Sequence, residues 1–208
     1  MNLYVKLIPQ FAGDRRRKFL YNNIRKNRLL IREYTENDLG KHYELFSNPI
    51  VILGDCNISV SLLQSRNRME ELLEQINLPK TNRRLYFYYM ENKHSHEFVG
   101  EVGYEVTKFT AIGKFAVLNY ITNKEHWGKG YMREAIKRII ESAFQENDVF
   151  CLDTAFLKAD TEIQNFLREC GFIMKSEYSE YRWYDGQLIE KVTYRRLRTE
   201  RSDIKSVQ

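Results

Sequence analysis

The chain has 208 residues, of which 43% are hydrophobic and 29% are charged, and this composition is typical of a globular protein with a buried core. It contains no apolar run near the roughly 18 residues that a membrane-spanning helix needs, and its N-terminal sequence lacks the features of a secretory signal. The three cysteines, Cys56, Cys151 and Cys170, are far apart and form no CxxC pair. They argue against a disulfide framework or a thiolate zinc site, and they predict a reducing, cytoplasmic environment.

The net charge of +5 is concentrated at the two ends of the chain. Residues 1–28 carry a net charge of +7 and residues 191–208 carry +4, whereas residues 29–190 carry −6. The basic run Arg15–Lys18 is either a solvated or packing face of an N-terminal appendage, or a contact for nucleic acid or the ribosome. The mildly acidic body is compatible with cationic, amine-bearing partners.

Hydrophobic periodicity predicts the element order β-α-α-β-β-β-α-β-α-β-β. The predicted strands span residues 28–35, 83–91, 97–106, 114–122, 149–157, 172–184 and 187–197. The predicted helices span about 36–46, 60–78, 130–144 and 161–170. Thr35 or Asn37 is the expected cap of the first helix, Gly171 suits a left-handed cap after the last, and Asp185-Gly186 is a strong hairpin signal.

This order predicts a mixed α/β fold. An antiparallel meander leads into a strand–loop–helix–strand unit, and the apolar faces require helices on both sides of one twisted sheet. We expect one domain over residues 28–198, a basic appendage over 1–27 and a polar tail over 199–208.

The segment from Tyr120 to Ala135 carries the clearest chemical signal. A strand ends, a short loop places Gly128 and Gly130 one residue apart, and an amphipathic helix begins. Glycines let successive N–H groups turn toward one point, and a helix N-terminus adds unpaired donors and positive dipole, so the segment predicts a phosphate cradle. It has neither the P-loop pattern nor the third glycine of a dinucleotide fingerprint. A tight β-to-α turn without a ligand is the alternative.

The run YITNKEHWGKGYMREAI resembles the acyl-CoA pyrophosphate loop of the GNAT superfamily of N-acetyltransferases, particularly its RimJ/RimL-like branch. Other segments match in order and spacing: NRLLIREYTENDL resembles the first strand and helix, EFVGEVGYE a Gly-Glu-Ile-Gly-Tyr strand, NFLRECGF the last helix, and SEYRWYDGQLIEKVTYRRL the closing hairpin. The resemblance covers residues 28–198. It implies a GNAT-like fold, a mostly antiparallel sheet with a splayed central strand pair.

The resemblance also implies acetyl-CoA as co-substrate. The backbone of the loop would hold the coenzyme A pyrophosphate, through Trp127, Gly128, Lys129, Gly130, Tyr131 and Met132. Ile121 and Thr122 would pair with the pantetheine arm, as an added strand does. Asp160 stands where the branch usually has Asn; it can cap its helix and accept a pantetheine hydrogen bond. The Ser that follows in the family is Ile163 here.

The implied reaction is direct attack of an amine on acetyl-CoA, without metal or covalent intermediate. An amine with a pKa near 10 is mostly protonated at pH 7, so a base must take its proton. The family usually has a glutamate base at the position of Val117 and a tyrosine acid at the position of Leu167. Neither group is present in this chain. Glu101 is the replacement base that we expect, and Tyr120 the expected acid.

Each catalytic candidate has an alternative. Glu105 and Asp153 are further candidate bases, and any of the three carboxylates can be a solvent-facing strand residue. Tyr120 can be a packed core tyrosine. The alternating His94 and His96 lack further ligands in sequence, so no metal site is expected.

The expected function is N-acetyl transfer to a primary amine: a protein N-terminus, a polyamine, an antibiotic or another small amine. A catalytically silent acyl-CoA-binding module is the first alternative, since several family positions differ. A nucleic-acid- or ribosome-associated protein acting through its basic ends is the second. No membrane partner is expected, and the oligomeric state, a homodimer included, is left open.

Overall fold

The computed structural model describes residues 28–47, 62–158, 160–175, 180–184 and 187–198. Several sequence predictions lie outside these residues: the basic appendage, the polar tail, Cys56 and the Asp185-Gly186 turn. None of the described helices is both long enough and apolar enough to cross a membrane.

The described residues form eight strands, four α-helices and two 3-10 turns. The elements are β1 (Leu29–Arg32), a 3-10 turn (Glu36–Asp38), α1 (Leu39–Ser47), α2 (Leu62–Asn77), β2 (Leu85–Asn92), β3 (Phe98–Thr110), β4 (Gly113–Thr122), a 3-10 turn (Lys124–His126), α3 (Tyr131–Glu146), β5 (Val149–Leu157), α4 (Thr161–Glu169), β6 (Ile173–Met174), β7 (Glu180–Tyr184) and β8 (Gln187–Leu197). The predicted order is confirmed, except that the strand predicted over 172–184 is divided into β6 and β7.

The strands form one mixed sheet in the order β1-β2-β3-β4-β5-β8-β6, with β7 paired to β8. Only the β4–β5 pair is parallel among these described strands. The mostly antiparallel α/β fold predicted from sequence is therefore confirmed. Tyr184 pairs with Gln187, so β7 and β8 form the predicted hairpin.

The central pair of strands separates partway along its length. β4 and β5 are paired only from Lys114 to Val117, whereas β4 continues to Thr122 and β5 to Leu157. Just past the last backbone pair, the buried hydroxyl of Thr154 donates a hydrogen bond to the carbonyl oxygen of Leu118, at 3.1 Å. This side-chain bond marks the point of separation, beyond which the two strands leave a wedge-shaped opening.

Helices cover both faces of the sheet, as predicted. On one face α3 and α4 bury Ile136 and Phe166 against the strands. On the other face α1 and α2 bury Leu45 and Leu72 against aromatic residues of β2. Burial of large apolar side chains on each face, at about 25 cal/mol per Å² removed from water, is the main stabilising term for this arrangement.

The start of α1 is fixed by a charged hydrogen-bond network. Asp38 accepts two bonds of 2.8 Å from the Arg32 guanidinium and bonds of 2.8 Å from both the backbone N–H and the hydroxyl of Thr35. Burial alone would raise the pKa of Asp38, but the Arg32 and Thr35 donors lower it below its ordinary value. Thr35, rather than Asn37, therefore begins the helical segment, and β1 ends at Arg32 instead of residue 35.

We predict that Gly103→Ala destabilises the fold by about 3 kcal/mol or more, because β2 leaves no room for a methyl group. A Cβ atom at Gly103 would lie 2.6 Å from the Cα of Phe87 and closer still to the carbonyl oxygen of Tyr86. Urea denaturation measures the loss. Gly40→Ala is the control, since nothing lies within 4 Å of that position, and its stability should stay within about 1 kcal/mol of wild type. Equal stability of the two variants would contradict this account of the packing.

Candidate active site

A cleft of about 510 Å³ opens where β4 and β5 separate. Its walls are the free end of β4, the end of β5 and the start of α4, and its floor is the loop after β4 together with the first turn of α3. The lining residues are Tyr120, Ile121, Thr122, His126, Trp127, Gly128, Gly130, Tyr131, Met132, Arg133, Ala155, Phe156, Asp160, Glu162, Ile163 and Phe166.

The floor of the cleft is the loop between β4 and α3. Gly128 and Gly130 have φ values of 71° and 76°, in the left-handed region that side chains rarely adopt. Gly130 is the N-cap of α3, so no N-cap side chain covers the first N–H groups of this helix. The first N–H groups and the positive end of the helix dipole therefore lie at the floor of the cleft, an arrangement suited to an anion.

The loop is held by contacts to neighbouring strands. The indole N–H of Trp127 donates to the carbonyl oxygen of Thr122 at 3.0 Å, although the ring is half exposed. The hydroxyl of Tyr131 accepts a bond of 2.7 Å from the side-chain amide of Asn92 on β2. The buried His126 ring contacts Tyr131 edge-on, with 5.8 Å between ring centroids. These contacts hold the loop in shape before any ligand binds.

Asp160 lies on the opposite side of the cleft. It is the N-cap of α4, and its Oδ1 accepts a bond of 3.0 Å from the N–H of Ile163. The capping role expected of Asp160 thus occupies one carboxylate oxygen. Leu167, one turn after Ile163 on α4, is fully buried in the core and offers no polar group to the cleft.

Most of the residues predicted to bind a cofactor lie together in this cleft. The exception is Lys129, which is absent from the lining and turns its carbonyl oxygen toward Arg28. Sequence reasoning missed His126 and Arg133, although Arg133 stands three residues after Gly130, in the first turn of the helix. The Arg133 guanidinium pairs with Glu169 at 3.0 Å and with Glu162 at 3.9 Å, so carboxylates offset part of its charge.

The two predicted catalytic residues lie on opposite faces of the sheet. Glu101 on β3 is the direct partner of Ile121 on β4, so their side chains share a face, and Tyr120 points to the other. Tyr120 lines the cleft and packs against the α3 face. Glu101 lies under α1 and α2, 5% exposed and outside the lining of the cleft.

Glu101 belongs to a buried polar cluster with Tyr34 and His42. Its Oε2 atom is 3.9 Å from His42 Nε2. Burial raises the pKa of Glu101 to about 7, against the opposing effects of the Tyr34 hydroxyl and the positive charge of Arg68. Burial, with Arg68, lowers the pKa of His42 to about 4, so this ring is neutral at pH 7.

The cluster contains several buried polar atoms that make no hydrogen bond of normal geometry. They are the Tyr34 hydroxyl, both ring nitrogens of His42 and Oε2 of Glu101. The Tyr34 hydroxyl is close enough to influence the carboxylate but falls short of an aligned bond. A carboxyl group whose pKa is near 7, beside a neutral imidazole, can take up and release a proton near neutral pH.

The two other candidate bases are in different environments. Asp153 accepts bonds of 2.7 and 2.9 Å from Arg195 and one of 3.1 Å from Lys175. Burial alone would raise the pKa of Asp153, but these cations lower it, so it is a weak base. Glu105 is 44% exposed and lies 3.7 Å from Arg84. Neither is enclosed as Glu101 is.

The His94–His96 turn shows no metal-binding arrangement. His96 Nδ1 lies 3.2 Å from a carboxylate oxygen of Glu91. Across the described part of the chain, no group of three or more His, Cys, Asp or Glu side chains is placed to hold a metal ion.

We predict that Glu101 makes stability fall as pH rises. Because its pKa of about 7 lies above the ordinary 4.5, the folded protein binds this proton more tightly than the unfolded chain does. The stabilisation is complete below about pH 4.5 and is lost as pH rises through about 7, on the order of 3 kcal/mol in total. Urea denaturation of Glu101→Gln from pH 5 to 8 should lack this decline, and the variant should exceed wild type in stability at pH 8. An unchanged slope in the variant would contradict the prediction.

Comparison with solved structures gives the same fold. A spermidine N-acetyltransferase from Vibrio cholerae, in complex with CoA and spermine, superposes with a TM-score of 0.69 at 17% identity, over 82% of this chain and 96% of that one. A ribosomal-protein-S5-alanine acetyltransferase from Vibrio fischeri does so with a TM-score of 0.69 at 19% identity, over 86% and 97%. A GNAT-family acetyltransferase from Bacillus anthracis gives 0.63 at 16% identity, over 83% and 96%.

The family was identified from the sequence itself. A comparison with curated proteins finds no match. The sequence model of one protein family, described as the acetyltransferase (GNAT) domain, matches residues 28–173. This match covers more than half of the chain and contains both the loop and the strands around the cleft. The chain therefore belongs to the GNAT acetyltransferase family.

Proposed function

We propose that this protein is an acetyl-CoA-dependent N-acetyltransferase that transfers the acetyl group to a primary amine by direct attack. The observation that carries the proposal is the cleft between β4 and β5, with two left-handed glycines and an open helix N-terminus at its floor. The motif around Trp127–Tyr131 further favours the RimJ/RimL-like branch of the family.

The cleft suits coenzyme A chemically. Convergent amides of residues 127–132 match the double charge of a diphosphate and need no metal ion. Beyond Val117, β4 lacks its β5 partner, so backbone groups near Ile121 and Thr122 are available to an extended pantetheine arm. Acetyl-CoA supplies an activated thioester, and a β4 amide at the separation point polarises its carbonyl group.

Proton transfer is the task of Glu101 and Tyr120 in this proposal. Most of an amine with a pKa near 10 is protonated at pH 7 and must lose a proton before attack. Glu101 lies one strand from the cleft, beside the neutral His42, and accepts that proton through a chain of water molecules. Tyr120, which lines the cleft, donates to the departing thiolate.

The acceptor is a primary amine: a protein N-terminus, a polyamine, an antibiotic or another small amine. Similar structures belong to enzymes named for spermidine and for the alanine of ribosomal protein S5, so both acceptor classes occur on this fold. The net charge of −6 over residues 29–190 favours a cationic acceptor. The rival function is a silent acyl-CoA-binding module, favoured by the full burial of Leu167.

We predict that Gly130→Asp abolishes acetyl-CoA binding. A carboxylate at the N-cap of α3 places negative charge where the diphosphate binds, and the φ of 76° strains any side chain there. In wild type, acetyl-CoA at about 100 times its Kd should add about 2.7 kcal/mol of stability, seen as a higher Tm. The variant should show no shift.

The matched control is Gly40→Asp, which adds the same side chain on α1 with nothing within 4 Å. It should keep the full shift in Tm. Normal acetyl-CoA binding by Gly130→Asp would show that the diphosphate lies elsewhere.

We predict that Glu101→Gln lowers kcat/KM for the best amine about 100-fold or more at pH 7.5, since the amide cannot accept the proton. Thiol release across an amine panel measures turnover, and the acetyl-CoA shift in Tm should be unchanged. Wild-type kcat/KM should rise with pH through about 7, following the pKa of Glu101.

Glu105→Gln is the control, on the same strand and the same face but 44% exposed. It should retain wild-type activity within about twofold. Comparable losses in both variants would remove Glu101 from the mechanism. Acetyl-CoA binding by wild type with no turnover on any amine would instead support the silent module.

A further inference from the structure

Arg28 contacts the glycine loop from outside the cleft. Its Nη1 atom donates a hydrogen bond to the carbonyl oxygen of Lys129 at 2.8 Å. Its Nη2 atom lies 3.4 Å from where a Cβ atom of Gly130 would be. The guanidinium carbon is 4.7 Å from the centroid of the Tyr131 ring. Arg28 does not line the cleft, so it approaches the loop from behind.

Arg28 is itself held at several points. Its carbonyl oxygen accepts a bond of 2.9 Å from the N–H of Lys93. Glu134, in the first turn of α3, accepts from Arg28 Nε at 3.4 Å and from the N–H of Leu29 at 3.1 Å. The half-exposed guanidinium thus lies between Lys129 and Glu134 and is restricted by both before any ligand binds.

The hydrogen bond from Arg28 to Lys129 sets the orientation of the Lys129–Gly130 peptide group. In a trans peptide, the C=O of Lys129 and the N–H of Gly130 point in opposite directions. Since Arg28 draws the carbonyl oxygen away from the cleft, the N–H of Gly130 faces into it. We infer that Arg28 is a positioning residue, which sets the Lys129–Gly130 peptide so that this N–H binds the diphosphate of coenzyme A.

The inference rests on the proposed function, because it concerns how the same loop recognises its diphosphate. Glycine at positions 128 and 130 makes the loop free to rotate its peptide groups. Without Arg28, a flipped Lys129–Gly130 peptide presents a carbonyl oxygen to an anion and withdraws a donor. The affinity for coenzyme A should then fall about 10- to 100-fold, as expected for the loss of one hydrogen bond to a charged group.

The test compares three probes: coenzyme A, dephospho-coenzyme A, which keeps the diphosphate, and pantetheine, which lacks it. In Arg28→Met, calorimetry should show both coenzymes bound about 10- to 100-fold more weakly. Pantetheine affinity, followed by NMR titration, should be unchanged. The KM for acetyl-CoA should rise while kcat at saturation stays within about twofold. Arg28→Lys, which keeps a donor for Lys129, should recover part of the affinity.

Arg84→Met is the matched control, because Arg84 is 58% exposed, close to the 52% of Arg28, and it pairs with Glu105 far from the loop. It removes the same charge and should leave all three affinities unchanged. If Arg84→Met lost as much affinity for coenzyme A as Arg28→Met, net charge alone would explain the effect and the inference would be overturned.

Glu134→Met separates positioning from direct attraction by the Arg28 charge. If charge alone matters, Glu134→Met strengthens coenzyme A binding, because it removes a carboxylate near the diphosphate. If positioning matters, the same variant weakens binding, because it releases Arg28. We expect weaker coenzyme A binding. Tighter binding, or an Arg28→Met loss shared equally by pantetheine, would overturn the inference.

If wild type binds none of the three probes, the proposed function itself fails. If wild type binds them and Arg28→Met binds them equally, only the role of Arg28 fails.

Discussion

The candidate site depends on the early end of the parallel pairing between β4 and β5. Parallel strands that remained paired to their ends would use their backbone groups on each other and leave no opening. Here pairing stops at Val117, and Thr154 closes the ladder through its hydroxyl group. The remaining length of each strand forms a wall of the cleft, and the glycine loop closes its floor. The same interruption thus provides both the volume for an extended ligand and the unpaired backbone that can bind it.

The sheet separates the two kinds of chemistry that the proposed reaction needs. The face under α3 and α4 carries the cleft, Tyr120 and the open N-terminus of α3, where the diphosphate is proposed to bind. The face under α1 and α2 buries Glu101 beside His42, where exclusion of water raises the pKa of the carboxyl group. β3 and β4 connect the two, since Glu101 and Ile121 are cross-strand partners. In the proposed reaction, burial therefore tunes the pKa of Glu101, and the N-terminus of α3 supplies the donors for the diphosphate.

Contacts between distant parts of the chain hold the glycine loop in shape. Glycines at positive φ are flexible in isolation, so their useful conformation must be maintained by neighbours. Asn92 holds Tyr131, Trp127 holds the end of β4, and Arg28 holds the carbonyl group of Lys129. Each partner belongs to a strand or loop already fixed by the sheet. Rigidity of the cleft is thereby tied to the correct folding of β1, β2 and β4.

Sequence alone determined the order of elements up to β6, the strand–glycine–helix loop and the left-handed cap at Gly171, because periodicity and local backbone conformation depend on neighbouring residues. The choice of Thr35 over Asn37 as the first cap came from the structure, through Arg32 and Asp38. It also supplied the family, through a motif that is contiguous in the chain. Tertiary structure decided which carboxylate is buried. It pairs Asp153 with Arg195, leaves Glu105 exposed and encloses Glu101. It also brought Arg28 to Glu134, 106 residues away. Local patterns carry no information about such pairs, since strand order and helix placement set the distances between them.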